Sequence, residues 1–135
     1  MMGIIKKKLY YFLTNFNCDG IRSFLIISSY LWSILLFMPG YTFDKGTYYL
    51  MAYIASENVW AIAFLLYAIL GTLNLEDLFD RKYTIVESII GFLIWSTTAV
   101  CIFMSTSQAP AAAAPHIVGA FMSWWVLIRA GLKNV

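Results

Sequence analysis

The sequence predicts an all-α, polytopic membrane protein, with four transmembrane helices preceded by a short N-terminal amphipathic helix in one domain over 1–135. Three observations carry this expectation. Of the 135 residues, 61% are hydrophobic and 12% charged, about half the charged fraction of a typical soluble domain. Apolar runs repeatedly reach the roughly 20 residues a helix needs to cross the hydrocarbon core. No charge occurs from Ser23 to Phe43, only Glu57 between Gly46 and Leu75, and only Glu87 between Tyr83 and Arg129. Helix-breaking residues, Pro39-Gly40, Pro110 and Pro115, fall between the runs, since proline cannot continue the hydrogen-bond ladder.

The elements follow in chain order. Residues 1–20 form an interfacial segment in which Ile4, Ile5, Leu9, Phe12 and Leu13 alternate with Lys6, Lys7 and Lys8, the composition of an amphipathic helix lying on an anionic leaflet. Arg22 closes this basic, membrane-surface group. The first span is expected near 22–39 and is retained, because Phe37-Met38-Pro39 offers no small-x-small cleavage site. The second, near 48–73, is longer than the bilayer requires; it tilts, or begins in an interfacial turn rich in Tyr48, Tyr49 and Tyr53. Asn74 to Lys82, with Glu76, Asp77, Asp80, Arg81 and Lys82, must lie in water. The third and fourth spans are expected near 83–105 and 114–132, joined by an uncharged, alanine-rich turn.

Orientation follows from lysine and arginine, which resist translocation. With the N-terminus inside, the cytoplasmic segments hold Lys6, Lys7, Lys8, Arg22, Arg81, Lys82, Arg129 and Lys133, against Lys45 alone outside. Both termini are therefore expected in the cytoplasm. A faint repeat is visible as well: Trp32-Ser33 recurs as Trp95-Ser96, and Trp60 and Trp124 follow at similar offsets; this suits two parallel-related hairpins, or is a chance recurrence of a residue that membrane interfaces favour.

Chemistry has few candidates. One histidine and two distant cysteines, Cys18 and Cys101, do not furnish the three or four ligands of an ordinary zinc site, and no nucleotide loop or nucleophile motif occurs. Neither catalysis, a metal, a cofactor nor a nucleic-acid partner is expected, and both cysteines read as free thiols.

Ionisable groups within spans are the default functional candidates, because charge in hydrocarbon costs about 2.5–3.5 kcal/mol even on the lenient insertion scale. They are Glu57, Glu87, His116 and Arg129. Counted at helical rise, Glu57 lies roughly 24 Å above the inner end of its span, level with His116; it is expected to pair with His116 or a tyrosine hydroxyl in the bundle interior, to face an outer aqueous vestibule, or to be exposed at the tyrosine-rich outer interface. Glu87 falls about one turn inside the inner interface, matched to Arg129 or Lys82.

Small and hydroxyl residues form two stripes, Thr84, Ser88, Gly91, Thr98 and Ser105 on the third span and Gly119, Ser123 and Ala130 on the fourth. Such residues let membrane helices approach closely. The stripes therefore face a neighbouring helix of the same chain, a second subunit, or a pore.

The basic start, the first helix ending at Pro39-Gly40, the aromatic-rich second span with Glu57 before Trp60, and Trp124-Trp125 followed by Arg129 resemble small membrane proteins of tailed bacteriophages, some of them holins. The resemblance covers about Trp32 to Arg129. It implies insertion in the bacterial inner membrane, homo-oligomerisation and timed permeabilisation before lysis; the chain departs from it in having four spans where holins commonly have one to three. A second reading is an interaction protein that docks on a host or phage membrane complex, for instance to exclude a second infection, since the short loops leave helix faces as the main contact surface. A third is a small ion channel or transporter, motivated by Glu57 and His116, although the mid-helix glycine or proline breaks of transporter sites are missing.

Overall fold

The computed structural model describes residues 18–38, 43, 46–75, 81–105 and 110–132. The expected amphipathic helix over 1–20, with Lys6, Lys7 and Lys8, lies almost wholly outside them.

Helix α1 (Cys18–Phe37) ends just before Pro39; its last backbone bond runs from Met38 N to Ile34 O at 3.0 Å. A 3-10 turn, Gly46–Tyr48, leads into a short α2 (Tyr49–Ile54), and then come α3 (Glu57–Leu75), α4 (Arg81–Ser105) and α5 (Pro110–Leu132). Four of these, over Gly20–Phe37, Glu57–Leu75, Lys82–Ser105 and Ala111–Leu132, are long and apolar enough to cross a membrane. The described residues contain no strand. Large apolar side chains such as Phe24, Leu31, Leu66, Val100 and Phe121 cover the outside, where lipid tails solvate them without cost.

Of the two forms expected for the second span, the structure has the one that begins in a separate tyrosine-rich turn, Gly46–Tyr48 and α2, before the long helix α3. Ala55 is extended (φ −157°, ψ 159°), and Ser56 takes the N-cap position of a fresh helix, its carbonyl accepting from Val59 N and Trp60 N at 3.0 and 3.3 Å. Glu57 then occupies the first turn, where a carboxylate is favoured by the exposed N–H groups and the helix dipole. Serine followed by an acidic residue is a helix-start signal that the long apolar run concealed. The Trp60 indole N–H donates to Met51 O at 3.0 Å and ties α2 to the first turn of α3, while α2 itself packs on α4. The fourth helix also begins earlier than expected, with Pro110 at its first position, where a missing N–H costs nothing.

The four long helices form two antiparallel pairs, α1 with α3 and α4 with α5, closed into one bundle by α3 on α4 and α1 on α5. Glycines set the closest approaches. A Cβ on Gly71 would come within 2.6 Å of Ile26, one on Gly91 within 2.7 Å of the Tyr67 hydroxyl, and one on Gly119 within 2.7 Å of the Trp95 ring. The expected stripes on α4 and α5 are thus internal packing faces, with Ser88, Gly91, Thr98, Gly119, Ser123 and Ala130 buried and Thr84 and Ser105 partly so.

Their hydroxyls mostly bond back along their own helices. Ser88 donates to Thr84 O (2.7 Å), Thr98 to Ile94 O (2.8 Å) and Ser105 to Cys101 O (2.6 Å), as Ser29 does to Leu25 O and Thr72 to Ala68 O. This satisfies each hydroxyl without a partner helix. Three contacts to hydroxyls do cross between helices: Leu50 N donates to Ser105 Oγ at 3.1 Å, Asn74 Nδ2 donates to Thr84 Oγ1 at 3.1 Å, and the Tyr30 and Thr72 hydroxyls meet at 3.2 Å.

Candidate functional site: a charged triad and a ring layer inside the bundle

Two polar layers interrupt the apolar interior. At the end where α1 begins and α3 finishes, Arg22 donates from Nη2 to Glu87 Oε2 at 2.8 Å, and Asn74 Nδ2 donates to the same oxygen and to Thr84 Oγ1 at 3.1 Å. Glu87 retains 4% of its exposure and Arg22 8%, so this ion pair lies within the protein. It joins three helices: α1 supplies Arg22, α3 Asn74 and α4 Glu87. Gly71 gives it room, since a Cβ there would stand 3.3 Å from Glu87 Oε1.

This arrangement corrects two expectations. The cation that meets Glu87 is Arg22; neither Arg129, half-buried near the end of α5, nor the exposed Lys82 takes that place. Arg22 is accordingly a core residue and not part of a surface basic patch.

The second layer lies about 12 Å along the bundle, eight residues up α4 from Glu87 at helical rise. Each long helix contributes one ring: Trp32, Phe64, Trp95 and His116. Centroids are 4.8 Å apart for Trp32 and His116, 5.7 Å for Trp95 and His116, 6.0 Å for Trp32 and Phe64, and 5.3 Å for Phe64 and Trp95. These are offset, tilted and edge contacts of the kind aromatic quadrupoles favour. His116 is 2% exposed; its Nδ1 faces Ala112 O at 3.2 Å and its Nε2 has no hydrogen-bond partner. It therefore does not pair with Glu57, which is half-exposed at the head of α3.

Between the layers stands Tyr67, 2% exposed, its hydroxyl against Gly91. Gly91 lies one turn along α4 from Glu87, so the phenol stands next to the ion-pair layer. Asn74 was expected at the start of the aqueous loop that runs to Lys82; it lies instead in the last turn of α3, 5% exposed, and Tyr67 escaped notice as a lone tyrosine within an apolar run. Asn74 lies 13 residues from Glu87, near the end of α3 and the start of α4, a hint visible only once these helix ends are known to meet.

The tryptophan repeat holds for half its length. Trp32 and Trp95 meet in one layer, but Trp60 is buried in the first turn of α3 while Trp124 is exposed in the middle of α5. The second members are not structural equivalents.

Among the described residues no group of three or more His, Cys, Asp or Glu could hold a metal ion, and Cys101 is a buried free thiol. The site offers a desolvated ion pair, hydroxyls and an imidazole.

Glu57 sits in the first turn of α3. Glu57→Gln is expected to take away the roughly 0.3–1 kcal/mol that a carboxylate gains near a helix N-terminus and to leave the bundle folded. Thermal unfolding in detergent checks this; a loss of several kcal/mol would mean that the carboxylate anchors tertiary structure.

No family model matches the chain, and neither does any curated protein or solved structure.

Proposed function

We propose that the chain is a holin-like permeabilising protein of the bacterial inner membrane, of the phage type, with both termini in the cytoplasm. One observation carries this reading: the polarity of the bundle runs inside out. Arg22, Ser29, Ser33, Asn74, Glu87, Ser88, Thr98, His116 and Ser123 are all buried, while the exposed face is dominated by large apolar side chains. A closed bundle of this kind inserts in lipid without presenting a polar surface. If several copies open and reassemble around a common axis, the same side chains line an aqueous lumen and the present exterior stays in contact with lipid. The resemblance to phage membrane proteins and the absence of any nucleophile motif in the sequence point the same way.

Induced expression in a bacterial host tests it. The expected result is a collapse of membrane potential followed by arrest of growth; undisturbed growth at full insertion removes the reading. A reporter fused to either terminus should be active only in its cytoplasmic form.

A second reading, a protein that docks on a host or phage membrane complex, draws on a shallow apolar groove between α4 and α5 lined by Phe92, Ser96, Ala99, Ile117, Ala120 and Phe121. Its small-residue floor admits a foreign helix to close range. Purification in mild detergent separates the readings: co-purification of a defined membrane partner favours docking, and a ladder of self-oligomers favours the lesion.

A further inference from the structure

His116 is the one ionisable member of the ring layer, and the groups packed on it give a charged imidazole nothing to pair with. Trp32 of α1 faces it at 4.8 Å between centroids, Trp95 of α4 at 5.7 Å, and Ala112 O of its own helix stands 3.2 Å from Nδ1. Phe64 of α3 closes the layer by packing on both indoles. Behind Trp32 lies Tyr48; along α3 from Phe64, Tyr67 lies one turn towards the ion pair and Glu57 two turns towards the head of the helix. The Arg22–Glu87 pair, about 12 Å away along the bundle, carries no net charge. The rings and the carbonyl that face His116 thus include no carboxylate. With Nδ1 donating to Ala112 O, the neutral ring has a lone pair at Nε2, which is buried without a hydrogen-bond partner. A proton there would create a second N–H and a full charge at 2% exposure. Indole faces attract cations, but two tilted rings replace neither the hydration shell nor a counter-ion.

A second feature lies next to it. Pro115 is inside α5 and has no N–H to close on Ala111 O, so the outer turn is joined to the remainder of the helix by one bond fewer, at the residue before the imidazole. Helices bend at such positions. One turn further on, Gly119 seats α5 against the Trp95 ring. The weak point is therefore at the outer end and the close contact beneath it. His116 lies six residues from the start of α5, about 9 Å at helical rise, so its way to water is that end of the helix.

We propose that His116 is an acid-sensitive latch: uncharged, it completes the ring layer and keeps α5 on α1 and α4, and charged, it leaves the layer as the outer part of α5 swings about Pro115. The closed layer offers the imidazolium no acceptor and the parted one offers it water, so opening and proton uptake are coupled. The sign follows. The layer's contribution to closure is complete where imidazole is neutral and is lost as pH falls through the range in which imidazole takes up a proton. The latch is a property of one chain, and it stands whether or not several chains assemble into a lesion.

The test uses the full-length protein in phosphatidylcholine vesicles with the same pH inside and out and an entrapped inert solute. Acrylamide quenching of tryptophan emission is followed between about pH 8 and pH 5, the interval in which an ordinary imidazole changes charge. Trp95 is 2% exposed and Trp32 half-buried in the closed layer, so the expected result is a severalfold rise in quenching at the acid end, reversed on return to pH 8. His116→Phe fills the layer with a ring that cannot charge and should show the same quenching at both ends. Should it not fold, His116→Gln, polar but uncharged, carries the comparison. Pro115→Ala restores the missing backbone bond and should blunt the acid response while leaving the closed form unchanged. Quenching that does not change with pH overturns the proposal, and so does an acid response that persists in His116→Phe or His116→Gln, since carboxylates elsewhere would then be its source. A response undiminished in Pro115→Ala overturns the pivot, and with it the proposed motion. The acid response with the solute retained supports the latch, and counts only against a lesion made of the open form.

Discussion

Glu87→Met should destabilise the bundle by about 3–5 kcal/mol, the usual effect of leaving one member of a buried ion pair without the other. Arg22→Met should fall at the low end of that range. The difference comes from chemistry. A carboxyl group left without its cation can take up a proton and keep its bond from Asn74 as a neutral acid, whereas a guanidinium cannot lose its charge inside a protein. Arg22 has 8% of its surface exposed and Glu87 4%, so water offers little relief to either. The double variant, Arg22→Met with Glu87→Met, should recover most of the loss, because hydrophobic replacements of similar volume abolish the desolvation penalty together with the attraction. Unfolding in detergent or in bicelles gives all three values. A double variant as unstable as Glu87→Met alone would show that the pair contributes more than it costs to bury, and would make it a net source of stability rather than a device that fixes the relative position of α1, α3 and α4.

The sequence made the four spans legible because the bilayer leaves few alternatives: long uncharged runs must become helices, since lipid offers no partner for exposed backbone groups. The polarity of the interior was legible in outline. Glu87 was singled out as an intramembrane charge, and the stripe through Ser88, Gly91 and Thr98 as a packing face, one of three roles it was allowed. Pairing was not legible. Glu87 and Arg22 stand 65 residues apart, and which cation it meets depends on how α1 is rotated against α4, which hydropathy does not encode. Arg22 looked like a surface residue because it directly precedes an apolar run; α1 in fact begins earlier, at Cys18, and brings Arg22 inside the bundle. For Glu57 the height was legible and the local structure was not. Counting residues along an unbroken helix put it roughly 24 Å above the inner end of its span, near the outer face, whereas the capping signal at Ser56 begins a new helix there and puts the carboxylate at its head. Local hydrogen-bond chemistry overrode a pattern read at the scale of the bilayer.

The glycines of the bundle should respond to alanine in a definite order, with Gly119→Ala the most costly. At Gly71 the new methyl meets Cγ1 and Cδ1 of Ile26 at 2.6 and 2.9 Å and Glu87 Oε1 at 3.3 Å; Ile26 is stiff at χ1 but is a single aliphatic chain, and the cost should be about 1 kcal/mol, the low end of the range for overpacking. At Gly91 it meets the hydroxyl end of the Tyr67 ring at 2.7–2.8 Å, a buried side chain that must tilt as a whole. At Gly119 it meets the middle of the Trp95 indole, Cδ2 and Cε3, at 2.7 and 2.8 Å, and that ring is held between Phe64 and His116. An aromatic ring wedged on two sides cannot yield without moving the helices that carry its neighbours, so Gly119→Ala should cost about 1–3 kcal/mol by overpacking and Gly119→Leu more. Gly131→Ala supplies the control, since a methyl there meets nothing within 4 Å and alanine is the better helix former by about 1 kcal/mol. Unfolding midpoints rank the four variants, and tryptophan emission reports on Trp95. Equal small effects at Gly71, Gly91 and Gly119 would mean that the bundle breathes enough to absorb a methyl group anywhere along its axis, and the close approach of α4 to α5 at Gly119 would then not be the constraint that fixes the ring layer.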